Sequence, residues 1–148
     1  MKLRDVRFAD EAACIADVER LRAGWRAGGA WTLGQACWHL NFPLEHYSHV
    51  GAGAEPTAEQ RKIQGFIDQV LASGWPEGLA AAKAMLPPAD VGLEAVDALV
   101  ASLRKFQGVR EARVSAFVFG PVETERLRQF AMIHSAHHLS FFEPTATE

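Results

Sequence analysis

All six histidines of the chain fall in two segments: His39, His46 and His49 in one, His134, His137 and His138 in the other. Imidazole is the side chain best suited to hold a transition-metal ion or to move a proton near neutral pH. His134 and His138 are four residues apart, the spacing that lets two side chains on one helical face converge on a single ion. At about 100° per residue they share a stripe with Leu127, Ala131, Phe141 and Phe142, while His137 lies about 60° round from His134. Imidazoles in an apolar stripe must find partners for their ring nitrogens, and gripping a metal together is one way to satisfy them. Three neutral imidazoles with water in the remaining position form a ligand set of catalytic metal sites, because the open position lets the ion acidify water or hold substrate. His46 follows His39 by one heptad and faces nearly the same way, which leaves it open to an acid–base role in the pocket or to ligation. With Tyr47 it is the nearest candidate for proton transfer. His49 reads as solvated, and His137 as a hydrogen-bonded or interfacial histidine. Glu45 and Glu143 point off the histidine stripes and are not promoted to general base.

Helices must position these groups, and the sequence marks where they start and stop. Residues 2–8 alternate charged and apolar, either a short strand or an extended lead-in anchored by Phe8. A first helix is expected from Asp10, through Val18, Leu21 and Trp25, to the stop at Gly28-Gly29. Thr32-Leu33-Gly34-Gln35 is a capping box that opens a second helix running to about Val50, with Pro43 bending it by removing the hydrogen bond to the His39 carbonyl. Thr57-Ala58-Glu59-Gln60 repeats the capping chemistry for a third helix, closed by Ser73-Gly74. The Ala-rich stretch 79–86 reads as one or two helical turns, stopped by Pro87-Pro88. A fourth helix starts at Asp90 or Gly92, carries Leu93, Val96, Leu99, Val100, Leu103 and Phe106 on one side, and ends at Gly108. Residues 109–119 are ambiguous. Gly120-Pro121 places a proline in the first turn of a last helix that runs to about Phe142. The sum is an all-α bundle of four long helices with one extra short helix or crossover segment.

A chain of 148 residues suggests one domain, spanning 1–148, able to bury about two-thirds of its unfolded surface without a disulfide or structural metal. Fifteen Lys and Arg against 18 Asp and Glu give a net charge of −3, with the basic residues scattered, which argues against nucleic acid as a partner. The two cysteines, Cys14 and Cys37, lie in apolar helical patterns and read as buried thiols of a reducing compartment. With no apolar core of signal-peptide length at its start and no membrane span, the chain is expected to be cytoplasmic.

Trp31-Thr32-Leu33-Gly34-Gln35 followed by His39-Leu40, together with Phe119-Gly120-Pro121 and the later His134-Ser135-Ala136-His137-His138-Leu139-Ser140-Phe141, resembles an uncharacterised branch of the DinB-like superfamily. Leu86-Pro87-Pro88 resembles it too. The resemblance implies an up-down four-helix bundle, often a homodimer, with one divalent metal held by a histidine of the second helix and two of the last. Carried onto this chain those are His39, His134 and His138. It further implies a metal-dependent transferase-like activity in which a low-molecular-weight thiol, or water, is activated for attack on a small electrophile. The metal is expected to be zinc or nickel, with iron as a further candidate, since imidazole suits them all. Two other readings stand beside this one. One is a non-catalytic metal-binding or ligand-sensing module, which a fourth protein ligand such as His46 would favour. The other is a metal-free bundle whose histidines satisfy one another.

Overall fold

A computed structural model describes residues 1–146. In chain order these residues form α1 (Glu11–Ala23), β1 (Trp25–Ala27), α2 (Leu33–Glu45), α3 (Ala58–Ser73), a 3₁₀ turn (Lys83–Met85), α4 (Glu94–Gln107), β2 (Arg113–Ala116), β3 (Gly120–Glu123), α5 (Thr124–Leu139) and β4 (Phe142–Pro144). Half of the chain, 51%, is helical and 10% is strand, so the fold is mixed α/β and the all-α expectation is corrected.

The helix starts follow their local chemistry. In both capping boxes the threonine hydroxyl accepts the backbone N–H three residues on at 3.1 Å, and the glutamine side chain accepts the threonine N–H at 2.9 Å. Each cap satisfies two donors that the first turn would otherwise orphan and contributes about 1 kcal/mol. Asp10 caps α1 in the same way, accepting from Ala13 N–H at 2.9 Å. The Ala-rich stretch contributes only the 3₁₀ turn, and α4 begins at Glu94, whose carboxylate accepts the Gly92 N–H at 2.9 Å.

The departures lie where short strands replace helix ends. Residues Trp25–Ala27 leave the first helix after Gly24 and pair antiparallel with Phe142–Pro144, with Arg26 opposite Glu143 and their side chains joined at 2.7 Å. Gly120-Pro121 belongs to a hairpin rather than to the first turn of α5. Gly120 takes φ 71°, a left-handed conformation open to glycine, and Val114 pairs with Val122 across the ladder. Proline is tolerated in this two-stranded edge pair for the same reason it is tolerated at a helix start, since no ladder bond needs its missing N–H. α2 ends at Glu45, two residues past Pro43, and the backbone of Ser48 pairs instead with Ser115 at 2.8 and 2.7 Å. Residues 2–8 are an extended lead-in whose Phe8 packs on the core.

Leu21, Leu33, Leu40, Ile67, Leu99, Leu103, Phe106 and Leu139 are fully buried between the helices. α2 packs on α4, and its start lies so close to the segment leading into α4 that a Cβ on Gly34 would sit 2.4 Å from the Gly92 carbonyl oxygen. α5 is tied at both ends. At its start Thr124 Oγ1 donates to the Glu111 carbonyl at 2.7 Å, and one turn on Arg128 donates to the buried Glu11 at 2.6 Å. At its end the Arg4 guanidinium pairs with both Asp17 oxygens, at 2.7 and 2.9 Å, and donates to the carbonyls of Leu139 and Phe142. The lead-in therefore holds the last turn of α5 in place. Cys14 and Cys37 are buried free thiols, both pushed up to about 12 by burial. No helix among the described residues is long and apolar enough to cross a membrane.

Candidate metal centre

α2 and α5 meet where three histidines face one another. His39 comes from the middle of α2, and His134 and His138 from successive turns of α5. Their ligand atoms all lie within 4.8 Å of one another, and no further His, Cys, Asp or Glu joins the group among the described residues. Ring centroids are 5.0 Å apart for His39 and His134, 4.5 Å for His39 and His138, and 4.8 Å for His134 and His138. His39 and His134 are buried and His138 is partly so.

The protonation of His39 follows from its partner. Its Nδ1 lies 2.8 Å from the Met85 carbonyl oxygen, which can only accept, so Nδ1 carries the proton and Nε2 presents a lone pair. That Nε2 lies 3.1 Å from His134 Nε2. Two such nitrogens at that distance need a proton or a cation between them. Two nitrogens on one ion at about 2.05 Å would be separated by about 2.9 Å at a right angle and about 3.3 Å at the tetrahedral angle. The observed spacing falls between these, so this pair fits one divalent metal, His138 brings a third nitrogen within 4.8 Å of both, and the Met85 carbonyl is the outer partner a ligating imidazole requires.

The surroundings keep all three rings uncharged. Burial lowers His39, and burial followed by the neighbouring His138 and His39 holds His134 well below the usual imidazole range. Burial, then His39 and His137, brings His138 down to about 3. Neutral imidazole is the form that binds metal. Two tryptophans wall the cluster: Trp75 stacks on His134 with centroids 4.3 Å apart, and Trp31 stacks on His138 at 5.5 Å.

The other candidates sit elsewhere. His46 caps the end of α2, donates from Nδ1 to the Phe42 carbonyl at 2.7 Å and stacks on Phe42; it does not line the cavity at the cluster. Tyr47 does line that cavity, and its hydroxyl is buried without a hydrogen-bond partner, with burial raising its pKa and Glu111 adding to the effect. His49 is exposed, 3.9 Å from Glu111. His137 faces away from the cluster cavity, its ring 4.9 Å from that of His138 and its Nδ1 buried without a partner. Of the aromatic residues near the histidines in sequence, Phe130 lines the cavity and Trp38, Phe42 and Phe141 do not.

Three contributors escape sequence reasoning. Trp75 has only Pro76 after it to mark a turn, Trp31 enters only as the first residue of the motif before His39, and the Met85 carbonyl has no side-chain signal at all. The cavity has a volume of about 490 Å³ and is lined by the three imidazoles and by mostly aliphatic and aromatic side chains.

Comparison of the chain with family models matches residues 1–145 to a family described as "Protein of unknown function (DUF1569)". Comparison with curated proteins and with solved structures gives no match.

Proposed function

The chain belongs to the DUF1569 family, and we propose that it is a metal-dependent enzyme whose His39, His134 and His138 hold one divalent ion, zinc or nickel before iron. The observation that carries the reading is the convergence of three neutral imidazoles from two helices at the base of an apolar cavity. When bound, the ion would supply Lewis acidity, lowering the pKa of a thiol or water in a position the protein leaves open. The residues supply the rest. His39 is held by Met85 with Nε2 aimed inward, so its ligating atom is preorganised. Trp75 and Trp31 stack on His134 and His138 and reduce the water around them, which strengthens charge interactions in the site. Tyr47 lines the cavity and is the proton-transfer residue of this reading, its hydroxyl having no hydrogen-bond partner within the protein.

Three ligands rather than four is the pattern of a catalytic centre, and His46 stands apart from the cluster, so among the described residues the structural-metal reading lacks its fourth group. The similarity of the His39 and His134 to Phe141 motifs to the DinB-like superfamily supports the same ligand set and a thiol-transferase-like reaction.

Elemental analysis of tag-free protein tests the reading. The expected result is about one divalent ion per chain after loading, lost in His134→Ala while far-UV circular dichroism keeps the helical signal. Stoichiometric metal retained by that variant, or none taken up by the wild type, would overturn it.

A further inference from the structure

The same cavity restricts what can approach the three histidines. We propose that its ligand is uncharged and mainly apolar apart from one ligating group directed at the imidazoles. The proposal rests on the metal reading above, because a bound ion would neutralise that one group. The restriction falls on the rest of the molecule.

No Asp, Glu, Lys or Arg lines the cavity among the described residues. The polar side chains that line it are uncharged: His39, His134, His138, Ser135, Tyr47 and the indoles of Trp31 and Trp75. A carboxylate or phosphate entering elsewhere would lose its hydration with no cation to pair with, a cost of several kcal/mol. A volume of about 490 Å³ lies within the roughly 300–1,000 Å³ of sites for small organic molecules. Phe66, Phe130 and Trp75 meet edge to face or tilted, with centroids 5.5 to 5.9 Å apart, and form one wall suited to a flat ring or an alkyl chain.

The outside of the cavity agrees with its inside. Eight large hydrophobic residues are exposed among those described, and five of them, Ile63, Leu79, Leu86, Phe117 and Val118, line this one cavity with exposures of 36 to 53%. Singly scattered apolar residues need no explanation, but five around one opening form a collar. The chain does build a cavity with charges. A neighbouring one of about 470 Å³ carries Lys2 and Glu77 beside His137, and of the three clustered histidines only His138 reaches it. A charged molecule would find partners there and none in the apolar cavity.

The test compares thiophenol with 4-mercaptobenzoate, the same thiol with and without a carboxylate, and uses naphthalene as an apolar probe with no ligating group. Binding to the protein, zinc-loaded and zinc-free, is read by calorimetry and by tryptophan fluorescence, to which Trp31 and Trp75 at the cavity contribute. The zinc-loaded protein is expected to bind thiophenol at least about tenfold more tightly than 4-mercaptobenzoate. Naphthalene is expected to bind both forms within about twofold. Ala131→Leu, which fills the cavity, should weaken naphthalene about tenfold at unchanged zinc stoichiometry. Leu86→Arg, at the exposed collar, should narrow the thiol discrimination to less than about threefold, and it keeps the proposal testable if the cavity variant fails to fold. Equal affinity for the two thiols in zinc-loaded protein overturns this inference and leaves the metal reading standing. Naphthalene binding in a protein that takes up no zinc sinks the metal reading while upholding the apolar cavity. A dimer that Leu86→Arg splits, with naphthalene bound by neither form, assigns the collar to a second copy of the chain and overturns the inference.

Discussion

The two sets of three histidines use one side chain to opposite ends. His39, His134 and His138 come from different helices, face inward, and share a space whose only polar occupants are themselves and a few neighbours. His46, His49 and His137 lie on the same two stretches of chain but disperse, to a helix cap, to an exposed carboxylate and to the flank of α5. The difference does not lie in residue type or local sequence. It lies in which side of a helix meets another helix, since His39 and His46 both have a backbone carbonyl at Nδ1 and only His39 faces α5. An imidazole becomes a ligand when burial keeps it neutral and a partner decides which nitrogen is free.

The sharpest way to break this contrast is to remove one ring from each set. His138→Ala should lose metal affinity by at least about a hundredfold, measured by competition with a chelating dye, whereas His46→Ala should hold it within about twofold. Equal losses would erase the distinction. Next in size, Trp75→Ala should lower stability by about 2–3 kcal/mol in urea denaturation, somewhat under the roughly 3–5 kcal/mol of a fully buried tryptophan, because its ring covers His134 and packs on Phe130.

Acidity probes the burial of the cluster more gently. The unfolded chain takes up protons on the cluster rings below about 6.5, while His138 in the fold waits until about 3. Unfolding of the metal-free protein therefore binds protons in that interval, so stability falls as pH drops below 6.5 and is flat above it with respect to these rings. Thermal denaturation from pH 7.5 to 4.5 reads the slope, and His138→Gln should flatten it. The smallest effect belongs to His49→Ala, expected to change stability by less than about 0.5 kcal/mol since the ring is exposed and its carboxylate neighbour lies 3.9 Å away.

The parts legible from sequence are those whose signals are local. Thr32 with Gln35 and Thr57 with Gln60 announce helix starts because the cap bonds span three residues. His134 and His138 announce a shared face because their spacing matches one turn. The strands were not legible, since Trp25–Ala27 and Phe142–Pro144 are three residues each, too short to show alternation, and their pairing joins the two ends of the chain. Gly120-Pro121 reads equally as a helix start or as the beginning of a strand, because proline's missing donor is harmless in both. The acceptor for His39 lies 46 residues away and belongs to the backbone, so composition and spacing could not reveal it.

That last feature separates two jobs that a protein usually has to solve together. Because a main-chain oxygen orients His39, the side chains of the segment that supplies it, Met85 and Leu86 among them, can be exchanged without retuning the imidazole. The chain can thus alter what its apolar chamber accepts while the grip at the base stays as it was.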